Sequence, residues 1–139
     1  MERINFENNV TKASAETFNL LQDNIENAIS NYSTTETKVG KWIDGKPIYR
    51  KCFSISNVAT DQEYSTNTNI SNIEKIISII GNVILASNPD FNIPINFYNW
   101  VAQNGCYCFY NKTTNALQYR TSWNLSNMYI TLEYTKTTD

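Results

Sequence analysis

The chain has 139 residues, enough for one hydrophobic core and too few for two ordinary domains. Apolar residues make up 41% and charged residues 17%, the balance of a folded chain and not of a disordered one. A net charge of -2 argues against nucleic acid as a partner, because phosphate binding needs clustered Lys and Arg, and no apolar run approaches the ~18 residues of a membrane span.

Asn, Ser and Thr form roughly a third of the residues and nine Tyr are present, a mix that favours strands and turns over long surface helices. The first residues have neither the apolar stretch nor the cleavage site of a secretory signal. Residues 4–10 read as an extended arm. Ser14 is placed to cap a helix over 15–31, with Glu16 in the first turn, where the helix dipole favours an acid. Phe18, Leu21, Ile25, Ala28 and Tyr32 then recur three and four apart, an a/d seam widened by Leu20 and Ile29. Two heptads are too short for an independent coiled coil. The seam therefore either docks on the rest of the chain or meets the same seam in other copies.

Residues 31–37 are a polar connector. Asp44 and Gly45 predict a two-residue type I′ turn, joining strands over 38–43 and 48–57. Pro47 follows the turn, where its missing N–H is tolerated at an edge or before the ladder begins. The basic residues from Lys46 to Lys51 are interrupted by Pro47, Ile48 and Tyr49 and read as a solvated strand face. Residues 60–72 predict a loop carrying Asp61, Glu63 and Tyr64. The next stretch is the most apolar of the chain. Ile73, Ile76, Ile77 and Ile80 fit a helix, whereas the β-branched density and Gly81 fit a strand. A turn over 72–75 and a buried strand over 76–86 are expected.

Residues 87–90 make a turn, and Pro94 makes 91–100 an interrupted or edge strand. A strand over 105–110, a turn over 111–115 and a returning strand over 116–122 follow. The last strand, 128–136, should bury Met128, Ile130, Leu132 and Tyr134 and expose Tyr129, Thr131, Glu133 and Thr135. Short strands at this spacing predict a mainly β chain: an antiparallel β-sandwich or jelly-roll-like domain over 34–139, preceded by an arm and helix over 1–33 for attachment and oligomerisation.

The chain has no His and three Cys. Cys106 and Cys108 lie two apart, so they share a strand face and cannot readily bond each other. Plain buried thiols are expected, with no metal and no cofactor. A glycosidase needs two carboxyl groups at a defined separation. Asp61, Glu63, Asp90 and Glu133 are the candidates, but no spacing links them, and Glu133 reads as solvated, so no catalytic residue is assigned. Trp42, Tyr98, Trp100, Tyr107, Tyr119 and Trp123 are more aromatics than one small core needs. Flat rings beside Asn and Thr suit sugars, whose C–H faces stack while their hydroxyls hydrogen-bond. The competing reading has Trp42 and Trp100 filling the core or a subunit interface. Tyr98, Trp100 and Trp123 lie in irregular sequence and are the expected ligand contacts.

The residues from Trp42 to Tyr49 (Trp-Ile-Asp-Gly-Lys-Pro-Ile-Tyr) resemble a hairpin that recurs in a small β-domain of phage and prophage tail proteins from low-GC Gram-positive hosts. Ile4 to Asn8, with Leu21 to Ile29, is similar to the start of many phage tail and baseplate components. Tyr129 to Asp139 looks like the terminal strand of the same β-domain. The resemblance covers about half of the chain and identifies a structural module with no chemistry attached. It implies a non-enzymatic virion component at a baseplate or tail-fibre tip, a homotrimer joined through Phe18, Leu21, Ile25 and Ala28. Its partners would be other tail proteins and a host cell-surface glycan. A capsid-attached head fibre or decoration protein is the alternative placement, and a carbohydrate-active enzyme the third.

Overall fold

The computed structural model describes residues 15–29 and 32–138. The arm expected over 4–10 and the Ser14 cap lie outside the described residues. The chain divides into two units, 1–31 and 32–139. In the first, helix α1 (Ala15–Ile29) carries Glu16 in its first turn. Phe18, Leu21 and Ile25 lie three and four apart on it and are exposed by 61%, 45% and 47%. The side chain of Ala28 lies outside the described set. Among the described residues no helix is long and apolar enough to cross a membrane.

The second unit is mainly β. In chain order its strands are β1 (Thr37–Lys41), β2 (Pro47–Val58), β3 (Glu63–Asn67), β4 (Ile73–Leu85), β5 (Asn92–Pro94), β6 (Phe97–Asn99), β7 (Asn104–Asn111), β8 (Ala116–Thr121) and β9 (Leu125–Lys136). They form a five-stranded sheet in the order β1-β2-β9-β4-β5 and a four-stranded sheet in the order β3-β8-β7-β6. Every pairing among them is antiparallel. One core draws on both sheets: Val83, Met128, Ile130, Leu132 and Tyr134 from the first, with Cys106, Cys108, Leu117 and Tyr119 from the second. Each large apolar side chain so buried contributes about 1.5–3 kcal/mol.

The first hairpin forms where its sequence predicts, but its turn is of another type. The Gly45 amide donates to Trp42 O at 2.9 Å and the Trp42 amide to Lys46 O at 2.8 Å. Gly45 has φ +84°, and Asp44 is not at positive φ. The loop therefore has three residues, a type I turn ending in a glycine bulge, and not two. The Asp44 carboxylate accepts the Lys46 amide at 3.0 Å, which holds Asp44 in the ordinary turn region. Pro47 opens β2, where no ladder donor is missed.

Two further expectations are corrected. Residues 63–67, expected within a loop, form β3 along the edge of the second sheet, where only Tyr64 and Thr66 turn partly inward. Two half-buried side chains leave too little apolar signal to mark a strand. The turn expected over 72–75 is absent, because β4 begins at Ile73. Bulges between Ile73 and Lys75, and between Ile76 and Ser78, each add one residue to the strand. The inward positions thus run Ile73, Ile76, Ile79, Gly81, Val83 and Leu85, two intervals of three before the ordinary twos. Those threes imitate a helix.

Pro94 ends β5 on the first sheet. After Ile95 and Asn96 (φ +62°), β6 begins on the second sheet, so 91–100 is an interrupted edge segment as predicted. On β9 the inward row is as predicted: Met128 and Ile130 are buried, and so are Leu132 and Tyr134. Thr131 and Thr135 of the other row are also buried. β9 is central, between β2 and β4, so side chains of its neighbours flank the outer row, as Cys52 does Thr131, while Tyr129 of that row stays 42% exposed.

Candidate functional site

The outer face of the four-stranded sheet is built by alternation. Cys106 and Cys108 point into the core, so Gly105, Tyr107 and Phe109 point out. Opposite them on β8, Leu117, Tyr119 and Thr121 are buried, which turns Gln118 and Arg120 outward. Register then sets two rows across the sheet. Tyr107 faces Arg120, which faces Glu63; Phe109 faces Gln118, which faces Ser65. Tyr98 of β6 lies opposite Gly105.

Gly105 makes a close approach possible. A Cβ there would stand 2.4 Å from Phe97 O and 2.9 Å from Tyr98 Cδ2, so the Tyr98 ring rests where a side chain would be. Tyr98 meets Trp100 edge to face at 4.7 Å, and Tyr107 and Phe109 stack at 6.0 Å. Trp100 is 83% exposed. An open recess of about 480 Å³ lies beside these rings, lined by Asp61, Phe97, Tyr98, Gln103, Tyr107 and Arg120 among others. A smaller one of about 260 Å³ continues past Tyr107 to Glu63, Phe109 and Gln118.

The polar groups of this face are tied together. The Tyr107 hydroxyl donates to Glu63 Oε1 at 3.2 Å, and Arg120 Nη2 stands 3.7 Å from Asp61 Oδ1. Desolvation, then the hydrogen bond to Glu63, raise the Tyr107 phenol above its ordinary range, so it stays a donor. The arrangement is a set of aromatic faces edged by fixed donors and acceptors, which suits binding.

Of the residues expected to touch ligand, the fold places Tyr98 on this face and Trp100 against it. Trp123 is half-buried against the core, its amide held by Thr121 Oγ1 at 3.1 Å, and it is not among the residues lining either recess. The exposure of Trp100 overturns the reading that has it filling the core; Trp42 is half-buried at the end of the first hairpin. Phe109 was not among the aromatics singled out. Its signal was present, since a pair of inward Cys two apart fixes 107 and 109 outward.

The four carboxylates do not converge as a set. Asp61 and Glu63 edge the aromatic face, and Asp90 sits in the 88–91 turn. Glu133 is on the outer face of the other sheet. It is not simply solvated: it accepts Arg50 Nε at 2.8 Å, Nη2 at 2.6 Å and Ser78 Oγ at 3.2 Å. Cross-strand register placed Arg50 opposite it. Burial pushes the Cys108 thiol up to about 12 and raises Cys106, whereas Cys52 is half-buried beside Thr131. Among the described residues no three His, Cys, Asp or Glu side chains gather as a metal site.

Compared with protein-family models, with curated proteins and with solved structures, the chain finds no match.

Proposed function

We propose that this chain is a non-enzymatic structural component of a phage or prophage-derived tail, placed at a baseplate or fibre tip, where it touches host cell-surface saccharide. The observation that carries the contact role is the exposed group of Tyr98, Tyr107 and Phe109 on one sheet face, with Trp100 against Tyr98 and with Arg120, Glu63 and Asp61 at its edge. Tail placement is supported by the resemblance of the Trp42–Tyr49 hairpin and of the two ends of the chain to tail proteins. In this reading the two sheets stack as an antiparallel sandwich, in line with a core that takes residues from both. Phe18, Leu21 and Ile25, exposed along one stripe of α1, join three copies about an axis, with Ala28 continuing the seam.

Light scattering on the purified chain tests the assembly. A three-chain mass is expected, falling to a single-chain mass in Leu21→Asp/Ile25→Asp with the strand signal intact; a concentration-independent monomer of the parent chain would refute the trimer. Immunogold labelling of particles tests the placement. Label at the tail tip is expected, and label on the capsid would replace this reading with a head fibre or decoration protein.

A further inference from the structure

We infer that the outer face of the four-stranded sheet takes an uncharged saccharide chain, laid along β7 across Tyr98, Tyr107 and Phe109. The inference rests on the saccharide-contact reading above and narrows it to one chemical class. From Gly105, under the Tyr98 ring, to Phe109 is four residues, about 13 Å at ~3.3 Å per residue, a length for an oligosaccharide and not for a single ring. Tyr98, Tyr107 and Phe109 are 49%, 38% and 47% exposed along that line, more aromatic surface than scattered solvent-facing positions usually offer.

Charge decides which saccharide. Among the described residues of these rows Arg120 is the one cation, and it faces Glu63 across the ladder with Asp61 3.7 Å away. Two carboxylates to one guanidinium leave the face locally negative. A phosphodiester or uronate polymer would be repelled there, and a nucleic acid strand likewise. Neutral hydroxyls meet no such penalty. They can accept from Arg120 and donate to Asp61 and Glu63, while Gln118 and Ser65 in the next row offer both functions. Tyr107 is held to Glu63, so its ring is fixed before ligand arrives, and less ordering remains to oppose binding. An extended peptide would instead add to a sheet edge and leave this face unused.

The test is co-sedimentation of the full chain with cell walls of a low-GC Gram-positive bacterium, intact or stripped of phosphate polymers by hydrofluoric acid, at low and high salt. Parent chain and Tyr107→Ala/Phe109→Ala are compared, their folding checked by circular dichroism and melting. Both side chains are exposed, so the variant should fold. Equal binding to both walls, insensitive to salt and weakened roughly tenfold or more in the variant, is the expected result. Binding lost on stripping, or abolished by salt, would mean a charged polymer and overturn the inference while wall contact stands. Binding to both walls at unchanged affinity in the variant would move the contact to another surface, again overturning only the inference. Binding to neither wall would remove the saccharide reading itself.

Discussion

At the scale of single residues, Gly105 and Gly40 make a matched pair. A Cβ at Gly105 would press on Phe97 O and on the Tyr98 ring, whereas one at Gly40 would meet nothing within 4 Å. Gly105→Ala is therefore expected to lower stability by about 1–3 kcal/mol and to displace Tyr98. Gly40→Ala should stay within about 0.5 kcal/mol of the parent. Urea midpoints of the two variants check this, and equal midpoints would contradict the close approach of β6 to β7. Residue type alone did not foretell such roles. Glu133 reads as a solvated carboxylate until β2 brings Arg50 opposite it. Glu36, in a polar connector, carries no sequence signal at all, yet it accepts from the Tyr134 hydroxyl and pairs with Lys136 at one end of the core. Its partners lie some hundred positions away in the chain.

At the scale of elements, local rules hold best where one or two residues set the geometry. The first hairpin was placed by Asp44 and Gly45, although its loop has three residues and only the glycine has positive φ. Gly45→Ala should then cost about 1–2 kcal/mol, the penalty of a left-handed L-residue, and Gly45→Asn less, because Asn tolerates that region. Thermal unfolding of both variants measures the difference, and equal losses would argue against the bulged turn. Strand β4 lies where a strand is expected over 76–86, and only its start differs, at Ile73 in place of a turn over 72–75. Its two bulges convert a period of two into intervals of three, so the apolar pattern mimics a helix while the backbone is extended. Strand β3 fails the local rules because an edge strand needs few buried side chains.

For the whole molecule, the core keeps weak acids protonated, and that makes stability depend on pH. Burial raises the thiol of Cys108 from 9.0 to about 12, and burial also raises Cys106 and Tyr134. In the unfolded chain these groups ionise earlier, so above pH 9.0 the unfolded state binds fewer protons than the folded one. The Cys108 contribution is complete below about 9.0 and is lost as pH climbs toward about 12, by about 1.4 kcal/mol per pH unit, with Cys106 adding to the loss in the same direction and Tyr134 adding to it above 10.0. Urea midpoints should be level near neutrality and fall in that alkaline window, with a shallower fall in Cys108→Ala. A midpoint that holds flat to the top of the window would refute the buried, protonated core.

The sequence by itself determined that the chain is mainly β, where most of its strands run, which residues of β9 face inward, and that two cysteines are buried thiols. These depend on period, turn chemistry and side-chain type within a few neighbouring residues, and such information is local. Tertiary structure alone decided that Tyr98, Tyr107 and Phe109 share one face with Arg120, Glu63 and Asp61, that Trp123 leaves that group for the core, and that Glu133 and Glu36 have partners. Those outcomes follow from strand order and register, which bring together residues tens of positions apart and which no short stretch of sequence encodes.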